Sequence, residues 1–228
     1  MEIDGLQVKV IRKNIKNLYI KVYPPHGEVR LICPRQLSDQ AIYQFVAAKT
    51  DWIKRKQVKV QAQPPQTEYQ YISGESHFFK GDRYRLKVIY NKAKPKVILN
   101  QSQLILYVYY GSILEQRSQV LLSWYRQQLK AELPRLIAKW SAIIGVQVND
   151  WGVKRMKTRW GTCNIQARRI WLNLELIKRP PHCLEYVVVH ELVHLLERKH
   201  NARFWSYMTQ FMPNWQQYQR ELNQGSLV

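Results

Sequence analysis

The run His190-Glu191-Leu192-Val193-His194 constrains this 228-residue chain more than any other feature. Apolar Leu184, Val187, Val188 and Leu195 surround it at helical spacing, so the run belongs inside a helix. Histidines at i and i+4 then leave the same helix face. That geometry suits two ligands of a tetrahedral zinc ion. Glu191 lies about 100° around the helix from His190, within reach of a zinc-bound water rather than of the metal itself. Neutral imidazoles keep zinc a strong Lewis acid, which lowers the pKa of its water toward about 7. A carboxylate beside that water takes its proton and later passes it to a leaving amine.

Catalytic zinc sites usually combine three protein ligands with one open position. His200, six residues after His194, is the first candidate for the third ligand. Glu221, the one acidic residue of the closing helix, is the second. Glu197 follows His194 too closely on the same helix to complete a tetrahedron. For His200 to swing back, the helix must end near Arg198-Lys199. Asn201 then opens another helix with Phe204, Trp205, Met208 and Phe211 as its apolar face. The competing reading, a hydrogen-bonded pair of core histidines, leaves the third histidine unexplained. His26, His77 and His182 have no partners at ligand spacing and read as surface or turn residues. Cys163 reads as a buried structural thiol.

The chain carries 36 Lys and Arg against 16 Asp and Glu, a formal charge of +20. Every segment except residues 183–228 shares the excess, which is densest over Lys154–Arg159. Such a balance favours polyanionic company, DNA or RNA among it, and interleaved Trp151, Trp160 and Trp171 could stack bases. The plain alternative is a solvated basic surface with those tryptophans in the core. Eight Trp, 14 Tyr and 5 Phe exclude a largely disordered chain. No apolar run approaches the roughly 18 residues of a spanning helix. Three widely spaced cysteines argue against a disulfide framework. With no basic and apolar leader at the N-terminus, the expected compartment is the cytoplasm.

The pattern along the chain is α+β. Strands are expected at Leu18–Tyr23 and Val29–Cys33, joined by a turn at Pro24-Pro25-His26-Gly27. One helix follows over about 38–57, with Ser38 as its N-cap. A polar connector spans 61–68, then strands recur at 84–90, 96–99 and 104–109. The hydrophobic period changes near Glu115 to that of a long amphipathic helix, or two helices meeting at Pro134, ended by Gly145. This change divides the chain into a β-rich region, 1–112, and a second domain, 113–228. Short strands are expected at 146–148, 160–163 and 169–174, before the motif helix near 183. No internal sequence repeat is evident.

The motif with His200 and Phe204-Trp205 resembles the YgjP-like family of predicted metal-dependent hydrolases, small zincins related to SprT-like and WLM-type metallopeptidases. Thr158-Arg159-Trp160-Gly161-Thr162-Cys163 is similar to that family's Arg-Trp-Gly-Ser-Cys segment, with Thr162 keeping the hydroxyl. Ile170–Asn173, Leu176, Pro180 and Tyr186–His190 fit the same pattern. Trp52-Ile53-Lys54 and Lys80–Tyr84 extend the likeness into the first half. The resemblance implies a zincin-like catalytic domain behind a β-rich region. It implies one zinc ion on His190, His194 and His200, with Glu191 as general base. Its implied activity is that of a metallopeptidase on peptides or proteins, and the SprT-like relatives suggest DNA-associated ones.

Arg159 is a candidate contact for a substrate carboxylate or developing oxyanion; an ion pair or a phosphate contact is the alternative. The strand near 168–174 is a candidate edge for an extended peptide. A nucleic-acid-binding protein with a structural zinc is the rival function. It predicts salt-sensitive binding and a filled fourth metal position.

Overall fold

A computed structural model describes residues 1–23, 26–61 and 69–224. Pro24 and Pro25 of the first expected turn, and the connector from residue 62 to 68, lie outside the described residues. The chain divides into two compact units, Met1–Glu68 and Tyr69–Val228.

In the first unit, β1 (Glu2–Ile3) turns into β2 (Leu6–Lys13) through Asp4 and Gly5, both at positive φ. Strand β3 (Tyr19–Tyr23) pairs antiparallel with β4 (Glu28–Pro34), and β4 runs parallel to β2 with Val8 opposite Val29. Helix α1 (Asp39–Ala47) starts at Ser38, whose hydroxyl accepts the Ala41 N–H at 3.2 Å. The single helix expected over 38–57 is two, since α2 (Thr50–Gln61) begins afresh. No Gly or Pro marks the break. It comes from a tightened turn in which Lys49 N–H bonds Val46 O, and from the Thr50 hydroxyl donating to that same carbonyl. The re-aimed helix buries Ile53 with Ile42, Val46, Val8, Val29 and Leu31.

The second unit opens with the same arrangement of strands. β5 (Ser76–Phe79) turns through Lys80 and Gly81, again at positive φ, into β6 (Asp82–Asn91). β7 (Lys96–Leu99) pairs antiparallel with β8 (Gln103–Tyr109), which runs parallel to β6 with Leu86 opposite Leu104. The topology therefore repeats although no sequence repeat is visible. A strand order needs only matching turns and apolar alternation, not matching residues.

Helix α3 (Leu114–Ile144) is one continuous 31-residue helix through Pro134, stopped by Gly145 at φ 76°. Its face of Leu121, Tyr125, Leu129, Leu133 and Ile137 shares one core with Leu86, Leu104 and Leu106 before it, and with the motif helix after it. That shared core is why the compact units divide after residue 68 rather than at the expected 112/113. Residues 146–148 are not a strand. β9 (Asp150–Lys154) begins later, and β10 (Gly161–Asn164) and β11 (Arg169–Asn173) complete a sheet of order β10-β11-β9. β11 is thus the interior strand, parallel to β9 and antiparallel to β10, and the edges are β10 and β9. A 3-10 turn (Leu174–Lys178) leads to α4 (Pro181–Val193), α5 (Ala202–Phe211) and α6 (Trp215–Gln224). Among the described residues no helix is long and apolar enough to cross a membrane.

Candidate metal centre and cleft

Helix α4 is apolar on nearly every side. Leu184, Val187, Val188, Val189, Leu192 and Val193 are all buried, so the helix is held in the core and its polar residues are fixed by its packing. Proline at its first position suits the start, where the missing N–H costs nothing. Regular helix ends at Val193, earlier than the expected end near 198. Leu195 and Leu196 N–H groups instead bond the carbonyls three residues back. His194 still has helical φ and ψ, so it keeps the i,i+4 relation to His190. The tightened turn then brings the chain back, and Asn201 caps α5 by accepting the Phe204 N–H at 3.0 Å.

The reversal places His200 over the other two histidines. Ligand atoms of His190, His194 and His200 all lie within 4.8 Å of one another. His190 Nε2 and His200 Nε2 are 3.0 Å apart, close to the ~3.3 Å between neighbouring nitrogens on a tetrahedral metal. Phe204, buried in α5, lies under all three rings with centroid distances of 4.9, 4.7 and 4.8 Å. Trp205 stacks on His200 and on Trp215. Burial, helped by the neighbouring histidines, pushes the His190 imidazole down to about 3. Burial also holds His194 below its ordinary value, although backbone carbonyls oppose it. Both rings are therefore neutral at physiological pH. His194 Nδ1 donates to the Glu197 carbonyl at 3.2 Å, which leaves its Nε2 lone pair free. Neutral, convergent imidazole nitrogens fit a divalent metal.

Glu191 is 4% exposed and has Gly161 of β10 against it. Burial lifts its carboxyl to about 8, and only the charge of Arg159 opposes this. Asn173, fully buried at the end of β11, holds the preceding loop. Its amide donates to the Met156 and Arg159 carbonyls at 2.9 and 2.8 Å, and its backbone N–H to the Trp160 carbonyl at 2.8 Å. Arg159 thereby stands at the entrance of β10.

These elements enclose a cleft of about 950 Å³. Its lining includes His190, His194, His200 and Glu191, the length of β10, Arg159 and Arg198, and Gln219, Leu222 and Asn223 of α6. The five sequence candidates thus share one cleft. Glu221 is not among the converging groups; it pairs with His182 at 2.6 Å. Glu197 offers the triad its carbonyl, and its carboxylate accepts the Lys199 N–H. Cys163 lines the cleft, half-buried, with its thiol pushed up to about 12 by burial and by Glu191. His77, read as a surface or turn residue, is buried against Tyr69 and Glu75. Position 77 falls on a buried face of β5, a strand that sequence periodicity did not reveal. Sequence reading also gave no role to Gly161, Asn173, Arg198 or the α6 wall. Gly161 and Asn173 stood within the family-like segments, which was the one available signal.

Two solved structures are similar over part of the chain. One is the metallopeptidase zymogen abylysin of Pyrococcus abyssi, at 18% identity and TM-score 0.38 over 42% of this chain and 98% of that one. The other is the metallopeptidase zymogen jannalysin of Methanocaldococcus jannaschii, at 15% identity and TM-score 0.37 over 41% and 95%. No curated protein matches. The family model of the YgjP-like metallopeptidase domain matches residues 16–225, nearly the whole chain. The chain therefore belongs to the YgjP-like family and is a metallopeptidase.

Proposed function

We propose that this metallopeptidase uses one zinc ion held by His190, His194 and His200, with Glu191 as general base. The observation that carries the reading is the convergence of three imidazoles beside a buried carboxylate in an open cleft. When bound, zinc supplies Lewis acidity toward a peptide carbonyl and toward water. The histidines orient that ion, and the Glu197 carbonyl fixes the tautomer of His194. Glu191 receives the proton of the attacking water and delivers it to the leaving amine. Burial alone would keep Glu191 protonated, so the base role requires its ionised form, which the charge of nearby Arg159 favours and a bound cation would favour further.

The substrate is a peptide or an unfolded stretch of protein lying extended along β10. This strand has one free edge and borders the cleft, so its backbone groups are available for strand addition. A cleft open beside the triad favours the enzyme over a structural zinc in a nucleic-acid-binding protein. Cytoplasmic action, including action on DNA-associated proteins, is the setting we infer from sequence.

Elemental analysis of protein purified without a metal-affinity tag tests the reading. About one zinc per chain, with peptide hydrolysis that Glu191→Gln abolishes while retaining metal, is expected. No metal after zinc reconstitution, or full activity in Glu191→Gln, would remove it.

A further inference from the structure

We infer that the cleft selects peptides carrying an acidic side chain close to the scissile bond, with Arg159 and Arg198 as the recognising groups. This rests on the peptidase reading above and adds the substrate class.

Charge around the cleft is one-sided. Among its described lining residues Glu191 is the only acid, and it is buried beside the triad. Arg159 and Arg198 line the same space, and both are exposed. They come from different elements. Arg159 leads into β10 and is fixed through its own carbonyl by Asn173. Arg198 stands in the reversal between His194 and His200. A third guanidinium, that of Arg179, lies 5.2 Å from the centroid of Trp160, another lining residue.

An extended peptide on β10 presents alternate side chains to the same face, about 6–7 Å apart. Its acidic groups meet guanidinium forks, which match a carboxylate with two parallel hydrogen bonds. Lysine or arginine at those positions meets like charge. Glu191 offers them no compensation, because it is buried and already faces Arg159. The overall charge of +20 acts in the same direction at longer range.

The test uses fluorescein-labelled decapeptides that differ only in Glu, Gln or Lys at the variable positions, together with a randomised peptide mixture. The zinc-loaded protein should cleave the mixture with Asp and Glu enriched beside the cut. Binding to Glu191→Gln should rank Glu over Gln over Lys, with a Glu-to-Lys ratio of roughly 2- to 30-fold, as two exposed ion pairs support. That ratio should shrink with salt. Arg198→Glu should invert the order, and Arg198→Lys should keep the order with a smaller Glu-to-Gln ratio, since it retains the charge and loses the fork, with metal content measured in each variant.

Cleavage without acidic enrichment would overturn the inference while leaving the peptidase standing. If no peptide is cleaved, the peptidase reading fails, and the binding ranking on Glu191→Gln still decides the charge preference. Equal binding of the three peptides, or tighter binding of a ten-nucleotide DNA than of the Glu peptide, would overturn it.

Discussion

Gly161 sits so close to Glu191 that a methyl group on its Cα would come within 2.5 Å of Oε1 and 2.7 Å of Cγ. Both groups are fixed, Gly161 by pairing with Leu172 and Glu191 by burial in α4. The carboxylate must therefore give way in Gly161→Ala. Displacing a catalytic group by about 1 Å typically costs about 100-fold in rate. We expect kcat/KM to fall by that order while zinc content stays the same, because the three atoms nearest the added methyl all belong to Glu191. Elemental analysis beside peptide kinetics checks this, and an Ala variant of normal activity would mean that Glu191 has room to spare.

The same burial makes Glu191 costly to the fold. Its folded pKa is about 8, against about 4.5 unfolded. The unfolded chain loses that proton first, so the penalty on the native state grows as pH rises from 4.5 to 8. In metal-stripped protein at pH 7 it amounts to about 3 kcal/mol. Glu191→Gln should recover much of this and unfold at higher denaturant concentration than wild type at pH 7. The advantage should vanish near pH 4.5, where both side chains are neutral. His190 has the opposite dependence, since its lowered pKa weakens the fold as pH falls below 6.5, but it is common to both proteins and cancels. Equal stabilities at pH 7 would contradict the burial of Glu191.

Much of this centre was legible in the sequence because its spacing is local. His190 and His194 are fixed by helix geometry alone, and Asn201 marks the start of α5 within one residue. What was not legible depends on partners distant in sequence. Gly161 meets Glu191 across 30 positions. The interior place of β11 depends on parallel pairing with β9, and no pattern within β11 announces it. The break between α1 and α2 was hidden for another reason: hydrogen bonds make it, without a helix-breaking residue. The extent of the second unit was misread because the hydrophobic period reports secondary structure, whereas units follow shared cores. Residues 76–109 have strand periodicity yet bury Leu86, Leu104 and Leu106 with α3.

Asn173 tests how far the cleft depends on residues outside the metal site. Fully buried, it anchors the loop at Met156 and Arg159 and accepts the Glu175 N–H at 3.2 Å. Asn173→Ala leaves the buried Glu175 N–H and three part-buried backbone groups without this partner, at up to about 1–3 kcal/mol for a buried group. We expect a loss of about 2–4 kcal/mol in unfolding free energy. Peptide kcat/KM should fall as Arg159 is released, with zinc retained. Denaturant unfolding and metal analysis on the same sample check both. Zinc loss in a variant that remains folded would show that the loop supports the histidines directly.

His200 and Glu221 separate the two candidate third ligands. His200 Nε2 already faces His190 Nε2, whereas Glu221 is engaged with His182 on α4. His200→Ala should weaken zinc binding by at least about 100-fold, since a two-histidine site lacks a third ligand. A chelator should then strip the variant at concentrations that leave wild type loaded. A zinc ion that binds the folded site and not the unfolded chain stabilises the fold, so on the proposed reading its removal should also lower the wild-type melting temperature. In His200→Ala that shift should nearly disappear. Glu221→Gln should keep both the zinc and the shift, losing only the His182 pair, worth no more than about 1 kcal/mol at a half-exposed position. If Glu221→Gln lost the metal and His200→Ala kept it, the closing helix would carry the third ligand and the reversal after His194 would serve only to place Phe204.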